Sequence, residues 1–140
     1  MLVVACPASA ALGGDASSVG RDLARMNGAD NVGSTGRHTV HEILVPGGTV
    51  VREYVSAEGV VFAVTWSGPF RPDLRQLLGA YFDEFTDAAR EAKSRHAGRA
   101  PLVIERPDLV VHMGGRSRAF VGRAFVPSLV PADVLLQDVR

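Results

Sequence analysis

Pro72-Asp73-Leu74-Arg75-Gln76-Leu77-Leu78-Gly79-Ala80-Tyr81-Phe82-Asp83-Glu84-Phe85-Thr86-Asp87-Ala88-Ala89-Arg90-Glu91-Ala92-Lys93 has a helical period. Leu74, Leu77, Leu78, Tyr81, Phe82 and Phe85 recur at i, i+3, i+4, i+7, i+8 and i+11, and Ala88, Ala89 and Ala92 continue the series. These side chains fill an arc of about 140° opposite Gln76, Asp83 and Asp87. Pro72 suits the first helical position, and Asp73-x-x-Gln76 reads as a capping box. Gly98 and Pro101 end the run. The pattern predicts one helix over 72–93, about 30 Å long. Burying its six large side chains at about 1.5–3 kcal/mol each makes it the main core element. Gly79, which costs about 1 kcal/mol relative to alanine in a helix, is read as a point of close approach to a sheet.

Upstream, the period is two. His38–Val45, Thr49–Ser56 and Val60–Trp66 are β-branched and aromatic runs separated by Pro46-Gly47-Gly48 and Ala57-Glu58-Gly59, which predicts an antiparallel meander. Val51, Glu53 and Val55 share one face of the second strand, with Val50, Arg52 and Tyr54 behind. Val60, Phe62, Val64 and Trp66 share one face of the third. Downstream, Pro101–Glu105 is a short strand. Asp108–Met113 and Arg118–Val126 form a hairpin around Gly114-Gly115, with Arg116 and Ser117 completing the loop. Val134–Leu136 is expected to be a last short strand. Strands grouped on either side of one helix predict an α+β domain. The expected fold is a curved antiparallel sheet of five to six strands, a three-strand meander then a hairpin, packed on one long helix over residues 38–140.

Residues 11–37 are rich in turn formers such as Gly13-Gly14 and Gly33-Ser34-Thr35-Gly36, and poor in large apolar side chains. They predict an irregular lead-in, with a short marginal helix over 18–26 carried by Val19, Leu23 and Met26. Residues 1–10 are apolar and small, and end in Ala8-Ser9-Ala10, a small-x-small cleavage pattern. They read as a signal peptide remnant without a charged start, cut between Ala10 and Ala11. A lipoprotein signal with Cys6 acylated is the competing reading. Both place the protein in the periplasm or outside the cell.

The 140 residues fit one domain, which at this size buries roughly two-thirds of its unfolded surface. Fifteen basic residues balance fifteen acidic ones, so no net field draws the chain to nucleic acid. A single cysteine excludes a disulfide framework. No apolar run approaches the roughly 18 residues of a transmembrane span.

No nucleophile motif is present, and catalytic residues stay unknown. His38 and His41 are three apart, so in a strand they point to opposite faces and cannot share a metal ion; no metal or cofactor is expected. Arg116, Arg118 and Arg123 lie near His112 with no acid between Asp108 and Asp133. That run reads as a solvated edge or as an anion-binding patch. Arg52 and Glu53 sit on opposite faces and read as cross-strand partners. The Ser67–Asp73 corner, with its two prolines and flanking Trp66, is either a tight structural turn or a binding lip. The candidate ligand or partner surface therefore comprises Trp66, Arg71, Asp73, Tyr81, Arg116 and Arg118.

Val51-Arg52-Glu53-Tyr54-Val55, Gly59–Pro69, Pro72-Asp73-Leu74, Leu77–Phe82 and Arg118–Ala124 resemble the domain of unknown function family DUF2844 of small exported proteobacterial proteins. Ala11-Leu12-Gly13-Gly14 resembles it too. The resemblance implies secretion and a shared compact domain, with no assigned reaction, cofactor or catalytic residue. The expected function is an exported, non-enzymatic domain that binds an envelope partner. The alternative is a small-ligand-binding protein or enzyme with a pocket between helix and sheet, open to a small anionic ligand.

Overall fold

A computed structural model describes residues 12–26, 28–95 and 100–140. The expected signal segment 1–10, its cleavage site, Cys6 and Gly98 lie outside the described residues.

Seven strands form one antiparallel sheet: β1 (Ala29–Ser34), β2 (His38–Leu44), β3 (Val50–Ser56), β4 (Val61–Gly68), β5 (Leu102–Glu105), β6 (Val110–Arg116) and β7 (Ala119–Phe125). Their order is β1-β2-β3-β4-β7-β6-β5. The meander β2–β3–β4 and the short strand β5 fall where the alternation places them. Seven strands rather than five to six result because β1 joins the edge, in register from Ala29↔Leu44 to Ser34↔Thr39. All six residues of β1 are exposed, and Val32 is its one β-branched side chain. Pairing to β2, rather than propensity or burial, makes this segment a strand, so the irregular lead-in is corrected. The other expected helix is present as α1 (Ser17–Met26). Asp15 caps its start, accepting from Ser18 N at 3.1 Å and from the Ser17 hydroxyl, which holds the Asp15 carboxyl below its ordinary range.

Residues 74–95 form the predicted helical crossover, but as two pieces: α2 (Leu74–Leu78), a 3₁₀ turn at Gly79–Tyr81, and α3 (Phe82–Arg95). Gly79 is the break itself. Its φ of 51° and ψ of −121° are open only to glycine, and its N–H returns to Arg75 O. Asp73 Oδ1 accepts from Arg75 N at 3.0 Å and Gln76 N at 3.3 Å, so the expected cap stands, and the helix starts after it at Leu74, with Pro72 outside rather than at the first helical position. Leu77, Leu78, Phe85 and Ala88 are buried on the sheet, and Leu74, Tyr81, Phe82 and Ala89 pack partly against the same cluster. Residues 12–14 tie into this layer: Leu12 N donates to Leu77 O and Gly13 N to Val61 O.

The opposite face of the sheet is also covered. Tyr54, Phe62, Ala63 and Phe125 pack there with Val134 and Val139 from the C-terminal segment. That segment carries 3₁₀ turns at Pro127–Leu129 and Leu136–Asp138, so the strand expected over Val134–Leu136 is absent. Pro127 and Pro131 take amide donors out of the run, and its side chains are used as a strap. Phe62 is a second correction. A register shift between Tyr54 and Val55 sets Val55 against Val61 and Tyr54 against Ala63, which turns Phe62 away from Val64 and Trp66. The β6–β7 turn comes later than expected: Arg116 pairs with Ala119, so Ser117 and Arg118 form the loop. Arg118 sits at φ 64°, an unfavourable position for a side chain with a Cβ.

Candidate functional site

The described residues leave two hollows beside β5 and β6, and the pairing registers determine what lines them. On the strap face, Glu42↔Arg52↔Thr65↔Arg123↔His112↔Val103 form one row across six adjacent strands. In front of this row lies a hollow of about 630 Å³, bounded also by Val121, Val139 and Arg140. Arg52 Nε donates to Glu42 Oε2 at 2.8 Å and its Nη1 to Arg140 O at 3.3 Å. Arg52 and Glu53 point to opposite faces as expected and meet different cross-strand neighbours, Glu53 lying on the helix face, fully buried opposite His41 and Val64. Tyr54 Oη donates to Arg140 O at 2.8 Å, which holds the end of the strap against the row. Arg123 approaches His112 Nδ1 with Nη2 at 3.1 Å and Nε at 3.4 Å. A guanidinium only donates, so Nδ1 supplies the lone pair and the ring proton resides on Nε2. Thr65 Oγ1 is a buried atom with no hydrogen-bond partner among the described residues, whereas His112 Nε2 lies 3.6 Å from Glu105 Oε1.

The second hollow, about 1180 Å³, opens between the end of α3 and the β6–β7 hairpin. Arg71, Lys93, Arg116, Ser117 and Phe120 supply its functional lining, and no carboxylate is among its lining residues. The Arg71 guanidinium carbon stands 4.9 Å from the Phe120 ring centroid, a cation–π contact that orients the side chain. The prolines of the Ser67–Asp73 corner carry the chain from β4 to this position. Gly68 there has φ 154°, and a Cβ at Gly68 would meet Thr49 Cα at 2.5 Å.

Of the residues singled out from sequence, Arg71 and Arg116 meet in this second hollow. The others do not join them. Asp73 is occupied as the α2 cap. Trp66 is 2% exposed and its indole lies over Gly122, so it is a core side chain that also walls the first hollow. Arg118 is the exposed hairpin tip. Tyr81 packs beside Gly13, where a Cβ would come within 2.9 Å of Tyr81 Cε2. His38 and His41 point to opposite faces as expected: His38 stacks near Tyr54 and Phe62, whereas His41 Nδ1 meets Asp30 Oδ2 at 3.1 Å. Thr65, His112 and Arg123 were not assembled as a row, because only the β4–β7 pairing brings residues 65 and 123 together.

Tyr81 has a measurable signature. Burial pushes its hydroxyl above the ordinary value of 10.0, and the charges of Asp108 and Glu84 add to the effect. The unfolded tyrosine ionises first, so stability holds below pH 10.0 and falls as the pH climbs through the higher folded value. Tyr81→Phe is expected to reduce that alkaline loss in thermal melts taken across this range, with little change at neutral pH. An identical alkaline slope in both proteins would refute the assignment.

No helix among the described residues is long and apolar enough to cross a membrane. No curated protein and no solved structure matches the chain. One family model does, over residues 8–139, which is nearly the whole length. The chain belongs to the family described as Protein of unknown function (DUF2844).

Proposed function

We propose that the protein is an exported, non-enzymatic binding domain that holds an anionic group of an envelope partner in the hollow between α3 and the β6–β7 hairpin. One observation carries this reading: Arg71, Lys93 and Arg116 line the same hollow with no acid among its lining residues. Uncompensated guanidinium groups favour carboxylate or phosphate, which they bind through paired N–H donors. Arg71 is already held against Phe120, so less side-chain freedom is lost on binding. The export part rests on Ala8-Ser9-Ala10 as a cleavage pattern. The interior between helix and sheet is filled by Leu77, Leu78, Phe85 and Trp66, which argues against a ligand pocket there.

The test is expression with the native upstream sequence, followed by intact mass and titration with inorganic phosphate and citrate. The expected mature chain begins at Ala11. Anion binding should move the backbone amide signals of Gly114–Phe120. Arg71→Ala and Arg116→Ala should each weaken binding about tenfold. A full-length chain retained in the cytoplasm would remove the export reading. Amide shifts spread evenly over the surface, or unchanged in both variants, would remove the site.

A further inference from the structure

We infer that the strap-face hollow is a second, separate ligand site, built for a small monocarboxylate with an apolar body. Its floor is the row Arg52–Thr65–Arg123–His112, on four neighbouring strands with side chains directed to one face. The two arginines of this row are in different states. Arg52 is committed to the Glu42 carboxylate and to the main-chain oxygen of Arg140. Arg123 contacts a neutral imidazole nitrogen, and none of its described hydrogen bonds or ion pairs is to a carboxylate. Beside it, Thr65 is 3% exposed and its hydroxyl has no partner among the described residues.

Thr65 and Arg123 are directly paired across β4 and β7, which sets their Cβ atoms about 4.5–5.5 Å apart. The two oxygens of one carboxylate can accept from both at once. A buried hydroxyl left unpaired is destabilising, and an acceptor anion arriving in the hollow satisfies it while neutralising the guanidinium. The rest of the wall selects the remainder of the ligand. Val103 and Val121 are 53% and 50% exposed on this face, and Val139 closes the strap side. Within the row Arg123 is the arginine free of a carboxylate, Arg140 at the strap end is turned to Gln137 O, and the aliphatic wall between suits an apolar body rather than a second charge. The volume, about 630 Å³, lies within the range of small-molecule sites. This site uses none of the arginines assigned to the α3 hollow, so either reading can fail alone.

Isothermal titration with octanoate tests it, with acetate, 1-octanol and octylammonium as comparison probes. Octanoate is expected to bind with an affinity that Arg71→Ala leaves unchanged, and each comparison probe at least about tenfold more weakly. Thr65→Val keeps the shape and removes the hydroxyl, and Arg123→Gln removes the charge. Each is expected to weaken octanoate about tenfold. Thr65→Val should melt no lower than the parent, since the unpaired hydroxyl is gone; a hydroxyl with a purely structural role would lower the melting temperature instead. Should Arg123→Gln fail to fold, Thr65→Val carries the test alone. Octylammonium binding as tightly as octanoate overturns the anion assignment, and acetate doing so overturns the apolar half. Absence of octanoate binding, or full affinity in folded Thr65→Val, overturns the site.

Discussion

Leu78→Asp is expected to leave the chain without a cooperative unfolding transition. Leu78 is fully buried at the end of α2, in the cluster that also holds Leu77, Phe85, Val64 and Trp66. The change removes about 1.5–3 kcal/mol of apolar burial. It also sets a carboxylate in an apolar interior with no added partner, at a further cost of several kcal/mol. Together these reach the roughly 5–15 kcal/mol that holds an ordinary domain folded. Far-UV circular dichroism and urea titration measure the outcome. Asp83→Ala on the exposed side of α3 is the control and should unfold within about 0.5 kcal/mol of the parent. A parent-like transition in Leu78→Asp would show that this side of the crossover faces water.

Gly122→Ala is expected to cost more than a surface substitution by a wide margin, although it adds one methyl group. A Cβ at 122 would stand 2.1 Å from Trp66 Cζ2 and 2.3 Å from Cε2. The indole therefore rests on bare backbone of β7, and it is itself enclosed by the core cluster. Forcing it aside costs about 1–3 kcal/mol, the usual range for overpacking a filled interior. The diagnostic is coupling. Trp66→Leu shortens the opposing side chain, so adding Gly122→Ala to that background should be far less harmful than in the parent, a non-additivity of at least about 0.5 kcal/mol. Strict additivity in urea melts would mean that residues 66 and 122 do not press on one another.

The crossover shows what local pattern can and cannot carry. Nine apolar positions at helical spacing are enough to orient residues 74–92 toward a sheet, because the period alone decides which side chains point together. The same period cannot distinguish a glycine tolerated within a helix from one that ends it. Gly79 breaks the helix through a positive φ, a backbone property without a hydrophobic signature. Phe62 fails in the parallel way: strict alternation places it with Trp66, but the shift at Tyr54/Val55 inserts one residue and reverses its face. Arg71 and Arg116 were legible as candidates because cations flanking proline and glycine turns stand out in the chain, yet their meeting depends on where α3 ends relative to the hairpin.

The residues alone determined the α+β class, the antiparallel meander, the helical crossover and its buried side, the Asp73 cap, and the separation of His38 from His41. All of these follow from interactions within a few residues, or from the two- and 3.6-residue periods of strand and helix. Tertiary structure alone decided that Ala29–Ser34 is a strand, that residues 126–140 lie as a strap, and that Arg52, Thr65, Arg123 and His112 form one row. Each of these depends on which distant strands become neighbours. That choice is made by burying the central strands between two layers, and no window of sequence contains both partners.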